Sequence, residues 1–491
     1  MESKNTRIYI IGAGFAGQEI ANELTRKGIF GTVIGFIDDD PGKIGTSIDG
    51  IPVFGPITDM DKIQNTEPAD EAIIAIPGAP GDTLKRIYSI LKDTKLGTIR
   101  LLPGISQIIE GDAHLIQTRE IAAEDLIGRD SAIISLKESL SYLRGRRVLI
   151  TGAGGSIGGE LSRQLLSGGA QRLYLLDHGE NSLYEIEAEL KLLQEEGVGE
   201  AAAIVPVVGD LQDREYMHFI LSRLKADVIF HCAAYKHVPM MEMNPVEAVK
   251  NNVFGTRNLV DAAKSSGVSK FVLISTDKAV EPVSIYGSSK MIAEEIVLSG
   301  NSPDTEMMAV RFGNVLGSRG SIVPLFQKQI SKGGPVTITH PDIKRYFMTI
   351  PEAASLVLKA GGVGEGGVLY LLDMGDPIII RDLAEQMINF YGYRPGMDIP
   401  IVTIGLRPGE KLEEKLWSSD ENPQPTGNPG IIKLEKEEKF SGGVQPLLDK
   451  LSEICFFNES NSESYRNRRK LRNTLKEYIP ELEIPENEPE Y

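Results

Sequence analysis

In the segment Tyr286-Gly-Ser-Ser-Lys290 a phenol and an ammonium stand four residues apart, a spacing that puts both on one face of a helix. The positive charge of a lysine one turn past a tyrosine would lower the phenol pKa toward the range useful to a base. Read alone, such a pair ordinarily means nothing. Shortly before it, Ser275-Thr276-Asp277-Lys278 ends an apolar run that reads as a buried strand. Its polar residues therefore fall at the carboxyl edge of a sheet, where open α/β sheets bind ligands. An Asp beside a Lys at such a place is also an ordinary ion pair.

The chemistry needs a partner for the phenol, and one stands upstream. Arg147-Val-Leu-Ile-Thr151 reads as a strand and runs into Gly152-Ala-Gly154-Gly155-Ser156-Ile157-Gly158, the spacing TGxxGxxG, before the helix Gly159 to Ser167. Glycines there let the backbone turn tightly and approach a pyrophosphate, while the helix start offers N–H groups and a positive dipole end. About twenty residues on, the strand Arg172 to Leu176 delivers Asp177 to the adenosine ribose, and a carboxylate there favours NAD over NADP. Gly209-Asp210-Leu211, after a third strand, is expected beside the adenine.

Strands alternating with helices imply parallel sheets, and the pattern occurs twice. It begins at Arg7 to Ile11 with Gly12-Ala-Gly14-Phe-Ala-Gly17, continues through Thr32 to Ile37 with Asp38 at its end and Glu71 to Ile76, and closes near residue 129. GxGxxG alone is a weak signal, and among residues 40 to 125 no acid, base or nucleophile stands in a pattern that points to catalysis. This first domain is either a nucleotide-binding regulatory or substrate-gathering unit, or a fold that merely kept its turn. The expected fold is α/β, with two doubly wound, Rossmann-like parallel sheets. The division is 1–129, a connecting helix over 130–144, a catalytic domain over 145–430, and a polar extension with an acidic tail over 431–491. After Gly317, Pro324, Pro335, Pro341, Pro351, Pro377 and Pro408 interrupt short elements, which suits a smaller mixed α/β lobe holding substrate. Glu481 to Tyr491, with five Glu and two Pro, reads as a disordered tail.

Composition bounds the rest. A chain of 491 residues exceeds one domain, and 52 Lys and Arg against 69 Asp and Glu leave a net charge of −17. That field argues against nucleic acid or anionic lipid as a broad partner. Cys232 and Cys455 make neither a disulfide framework nor a four-sulfur zinc site, so a reducing cytoplasm is expected. No metal-ligand spacing is present. The apolar runs fall short of a spanning helix and the start lacks a signal-peptide core, so no membrane attachment is expected.

The order TGxxGxxG, Asp177, YxxxK resembles the extended short-chain dehydrogenase/reductases. Several segments look more narrowly like the bacterial polysaccharide-biosynthesis UDP-N-acetylglucosamine 4,6-dehydratases, over about residues 120 to 420. They include Leu176-Asp177-His178, His231-Cys-Ala233-Ala234-Tyr-Lys236-His237, Asn251-Asn252, Arg311-Phe-Gly-Asn314, Lys344-Arg345 and Leu406-Arg407-Pro-Gly-Glu410-Lys411. The first domain, including Gly35-Phe-Ile-Asp38, is similar to the one preceding the catalytic part of long members; their membrane helices have no counterpart here. Many long members carry Met where this chain has Tyr286.

The resemblance implies oxidation at C4 of the sugar with NAD, Tyr286 assisted by Lys290 as base and Thr276 bonding the same oxygen. Water is then eliminated across C5 and C6, Lys278 taking the C5 proton and Asp277 protonating the departing hydroxyl. Relatives acting on sugars without the acetamido group tend to have Glu after that Asp. It also adds Ala233 and Ala234 to the cofactor contacts. For the substrate diphosphate, Arg319, Arg345 and Arg407 offer planar guanidinium groups. Asn314, Glu410 as ribose acceptor, Lys236 and His237 complete the expected substrate set. A homo-oligomer is expected, and the helical stretch Pro245 to Ser266 reads either as a pairing surface between subunits or as core packing. The competing readings are a C4 epimerase or dehydrogenase on the same fold, and a nucleotide-sensing scaffold without turnover.

Overall fold

The structure is a computed structural model that describes residues 6–27, 31–76, 79, 81–94, 96–102, 119–120, 140–199, 201–436, 440 and 442–488. The chain divides into two compact units, Met1–Lys137 and Glu138–Tyr491. The connecting helix expected over 130–144 lies outside the described residues, apart from a 3-10 turn at Ser141–Leu143. Among the described residues no helix is long and apolar enough to cross a membrane.

In the N-terminal unit the strands are β1 (Arg7–Ile11), β2 (Thr32–Ile37), β3 (Ser47–Ile48), β4 (Ile51–Phe54), β5 (Glu71–Ile74), β6 (Thr98–Leu101) and β7 (Arg119–Glu120). They form one sheet in the order β3-β4-β2-β1-β5-β6-β7. The inner pairs are parallel and the two outermost antiparallel. Continuous apolar strands such as Ile8 to Ile11 are what a sheet covered on both faces requires. Two core clusters, one on each side of alternating strand residues, show that it is so covered.

The second unit repeats the plan at larger scale. Its strands are β8 (Arg147–Thr151), β9 (Arg172–Asp177), β10 (Ala203–Val208), β11 (Val228–His231), β12 (Lys270–Thr276), β13 (Glu306–Phe312), β14 (Asn314–Val315), β15 (Val336–Ile338), β16 (Lys344–Arg345), β17 (Phe347–Met348), β18 (Leu369–Leu372), β19 (Ile378–Ile379), β20 (Ile401–Thr403), β21 (Glu421–Pro425) and β22 (Ile431–Lys436). The main sheet runs β10-β9-β8-β11-β12-β13-β18-β22-β21. It is parallel as far as β18, after which β22 and β21 add antiparallel edges. The fold is thus α/β with doubly wound parallel sheets. Three short pairs, β14 with β17, β15 with β20 and β16 with β19, lie apart from it and carry the lobe that follows β13.

As far as Glu488 the C-terminal stretch is ordered, contrary to the expectation of a disordered tail over Glu481 to Tyr491. Leu482 is fully buried, and Glu488 pairs with both Arg468 and Arg472, which are themselves buried. Arg472 also binds Glu242 at 2.8 Å, and Glu242 Oε1 accepts from the N–H of Ile285 at 2.7 Å, the first residue of the helix Ile285–Ser299. Acidic composition there serves pairing with buried arginines. Pro245 to Ser266 is helical in three pieces, with a π turn at Lys250–Gly255 in the middle.

Candidate active site

Thr276 closes β12, and the chain turns at once into the 3-10 turn Asp277–Ala279, with Thr276 Oγ1 accepting from Lys278 N at 3.4 Å. The helix Ile285–Ser299 starts beside it, capped by Ser284, whose hydroxyl accepts from Gly287 N at 3.1 Å. A Cβ on Gly287 would lie 2.3 Å from the Lys278 carbonyl oxygen. Only glycine lets helix and turn come this close. The result sets Tyr286, in the helix's first turn, beside the turn that carries Thr276, Asp277 and Lys278, whose side chains all act on the phenol pKa. Lys290, one turn on, donates to the Ile274 carbonyl at 2.7 Å.

Asp277 is wholly buried. Its Oδ1 accepts from Thr276 Oγ1 at 2.9 Å and from Lys278 Nζ at 3.0 Å, and its Oδ2 has no hydrogen-bond partner among the described residues. An unmatched buried carboxylate oxygen costs about 1–3 kcal/mol, which marks a place kept for something other than stability. Gly313 keeps the space beside it open, since a Cβ there would lie 3.0 Å from Oδ2. Lys278 Nζ is also bonded to Asn314 Oδ1 at 3.1 Å and stands 4.0 Å from Glu414 Oε1. Burial would lower the Lys278 ammonium, but Asp277 and Glu414 outweigh it and hold the group above the usual lysine range.

The expected depression of the Tyr286 phenol by Lys290 is not what the structure gives. Burial pushes the phenol up, and the groups that pull it back in part are Lys278 and Thr276. Burial instead lowers Lys290 itself, to about 8, against the pull of Glu294.

The dinucleotide turn is built as its spacing requires. Gly152 has φ +67° and its Cβ would stand 2.7 Å from Ala233 N; a Cβ on Gly158 would stand 2.2 Å from Gly152 O. Ser156 and Ile157 open the helix Ser156–Ser167. Asp177 accepts from Gly154 N and Gly179 N, both at 2.9 Å, and so tethers β9 to the turn. A cavity of about 250 Å³ is lined by Gly152, Gly155, Asp177, Asp210, Leu211, Ala233 and Ala234. A turn without room for side chains, with a buried carboxylate at its ribose end, fits a dinucleotide with free ribose hydroxyls.

The expected substrate residues separate. Asn314 joins the Lys278 cluster. Arg319 lies elsewhere than proposed: it lines the cofactor cavity, its N–H donates to Ser156 Oγ at 3.1 Å, and its exposed guanidinium pairs with Glu185 at 3.3 Å. Arg345 is buried and its guanidinium is taken up by the carbonyls of Lys344, Leu412 and Lys411 at 2.7, 3.1 and 2.6 Å. It braces the loop carrying Glu410 and Glu414, standing 3.6 Å from Glu410 Oε1. Glu410 Oε1 accepts from Thr339 Oγ1 at 3.2 Å, and its Oε2 from the Arg407 N–H at 3.2 Å. Arg407, Lys236 and His237 are exposed, the last with its ring against Gly320.

Two residues beyond the expected set shape the site. Glu414, buried beside Lys278, carried no motif of its own beyond following Lys411 by three. Asn252, in the π turn, bonds both backbone groups of Tyr235 and Ser289 Oγ, and so ties the cofactor loop to the helix bearing Tyr286. Such π turns occur often at functional sites.

Residues 148–436 match the family model described as polysaccharide biosynthesis protein, and residues 3–80 match one described as CoA binding domain. The chain is 42% identical over 419 residues to the probable polysaccharide biosynthesis protein EpsC of Bacillus subtilis, covering 85% of this chain and 69% of that one. To the UDP-N-acetylglucosamine 4,6-dehydratase (inverting) of Campylobacter jejuni it is 33% identical, over 56% of this chain and 79% of the relative. Among solved structures, Pen from Bacillus thuringiensis superposes with a TM-score of 0.54 at 33% identity, covering 60% of this chain and 89% of that one.

Proposed function

The chain belongs to the polysaccharide biosynthesis protein family, and on that premise we propose that its second unit is an NAD-dependent 4,6-dehydratase of UDP-N-acetylglucosamine. The observation that carries this reading is one cluster holding the means for both halves of the reaction: Tyr286 beside Thr276, and Asp277 bonded to Thr276 and Lys278.

Gly152, Gly155, Ser156, Ile157, Gly158, Asp177, Asp210, Leu211, Ala233, Ala234 and Lys290 would hold NAD, which when bound would supply the hydride acceptor for the C4 oxidation and the hydride donor for the C6 reduction. Tyr286 takes the C4 hydroxyl proton as the phenolate, a form that burial disfavours and that Lys278, with the positive ring of bound NAD, would restore, while Thr276 steadies the same oxygen. The C4 ketone acidifies the proton at C5. In the resting pair Lys278 is the ammonium and cannot act as a base. Its proton has one carboxyl at 3.0 Å to go to, that of Asp277. Passing it across turns the ion pair into an amine and a carboxylic acid, a change favoured when bound sugar excludes water from a buried pair. Lys278 then removes the C5 proton, and Asp277 gives its own to the departing C6 hydroxyl, which leaves as water. Elimination leaves the pair as ammonium and carboxylate again; as the hydride returns to C6, Lys278 gives its proton back to C5, and the proton that Tyr286 took from the C4 hydroxyl then recharges Lys278, so that no proton is owed to solvent. Asn314 and Glu414 orient Lys278 through this cycle.

Incubation of the protein with UDP-N-acetylglucosamine and a trace of NAD tests the reading. A 4-keto product lighter by one water is expected. A C4 epimer of unchanged mass would replace dehydration with epimerisation, and unaltered substrate would favour a scaffold without turnover.

A further inference from the structure

The reaction above leaves the glycine-rich turn of the N-terminal unit without a task. β1 runs into Gly12-Ala-Gly14-Phe-Ala-Gly17, and a cavity of about 700 Å³ opens beyond β1, β2 and β5. The strand order reverses between β1 and β5, the place where open α/β sheets take ligands. The turn is built like that of the catalytic unit. A Cβ on Gly17 would lie 2.0 Å from Gly12 O, as one on Gly158 would lie 2.2 Å from Gly152 O. Ala13 N donates to Asp38 Oδ2 at 2.8 Å, as Gly154 N donates to Asp177 Oδ2 at 2.9 Å.

Gly14 differs in kind from these. Its φ is ordinary, and a Cβ built on it meets nothing within 4 Å. Neither strain nor packing calls for glycine there, yet the residue lines the cavity. A missing side chain that the fold could hold leaves the backbone open to close approach, which in this turn is the approach of a pyrophosphate.

The far end of the cavity defines the ribose. Burial would raise the Asp38 carboxyl, but the N–H groups of Asp40 and Ala13 and the Lys43 ammonium outweigh it and keep Asp38 ionised. Asp39 and Asp40 follow directly. The two cations nearby are already engaged, Lys43 with Asp38 at 3.1 Å and Arg86 with Asp39 at 3.0 Å. A phosphate ester on a ribose would meet an excess of carboxylate here, whereas free hydroxyls would find acceptors. Ile57, Ile76 and Ile87 supply apolar walls suited to the faces of a base.

We infer that this cavity binds a nucleoside diphosphate with unesterified ribose hydroxyls, such as ADP or the ADP half of NAD. Coenzyme A and NADP, whose riboses are phosphorylated, are rejected, although the family model over residues 3–80 is described as CoA binding. The inference is independent of the dehydratase reading, since the two sites use different glycine turns.

Hydrogen–deuterium exchange on the full chain separates them, because each turn reports through its own peptides. ADP or NAD should slow exchange in peptides spanning residues 11–17 and 37–43, and coenzyme A at the same concentration should not. Gly14→Val should abolish that slowing while leaving the thermal midpoint, and the NAD response of peptides over 152–158, as in the parent. Protection by coenzyme A equal to that by ADP would overturn the ribose assignment. Protection by none of these nucleotides, or protection undiminished in Gly14→Val, would overturn the site.

Discussion

The main chain of Gly287 passes so close to Lys278 that a Cβ would stand 2.3 Å from the Lys278 carbonyl oxygen. The oxidising half of the site, Tyr286, is thereby held against the eliminating half, Asp277 and Lys278. Gly287→Ala must push the helix away from the turn, and misplacement of about 1 Å costs on the order of 10²-fold in rate. We expect kcat to fall by roughly that factor with NAD affinity little changed, as read by steady-state kinetics beside an NAD titration.

Asp277 and Lys278 exchange one proton in the account above, so they should behave as a unit. Asp277→Asn and Lys278→Met should each lower kcat by on the order of 10³, and the double variant should be little worse than either, as groups acting together are non-additive. Multiplying losses in the double variant would separate their roles.

How far these residues were legible in sequence differs case by case. Asp177 was, because strand, turn and carboxylate lie within one βαβ unit whose spacing the backbone dictates. Glu414 was not: it meets Lys278 only through the folding of the lobe, and no local period records that. Residue type alone did not show where the Arg345 guanidinium is held, since a guanidinium that suits phosphate suits carbonyls equally, and those of Lys411 and Leu412 engage it. The acidic C-terminal run looked disordered because composition does not show the buried Arg468 and Arg472 that await Glu488.

That last network predicts that the helix Arg468–Tyr478, which carries both arginines, is needed for the site. Arg472→Met leaves Glu242 and Glu488 without their shared cation, and breaking a buried pair costs about 3–5 kcal/mol. A lower urea midpoint is expected, with reduced activity even where the protein stays folded, because Glu242 also holds the N–H of Ile285.

Acid stability should report His231. Burial, aided by Lys290, pushes its pKa down to about 3, and its ring bonds Thr151 at 2.7 Å and Thr256 at 2.9 Å. The unfolded chain binds this proton near pH 6.5 and the folded one does not, so stability falls as pH drops from about 6.5 toward 3, by up to about 1.4 kcal/mol per pH unit. His231→Gln should flatten the fall of the melting temperature over that window; an unchanged slope would assign it to other groups.

The most direct test of the account follows one hydrogen. UDP-N-acetylglucosamine carrying deuterium at C4 should yield a product lighter by one water with that deuterium at C6, as mass spectrometry and proton NMR would show. Deuterium still at C4 in an epimer of unchanged mass, or lost from the product to solvent, would contradict it.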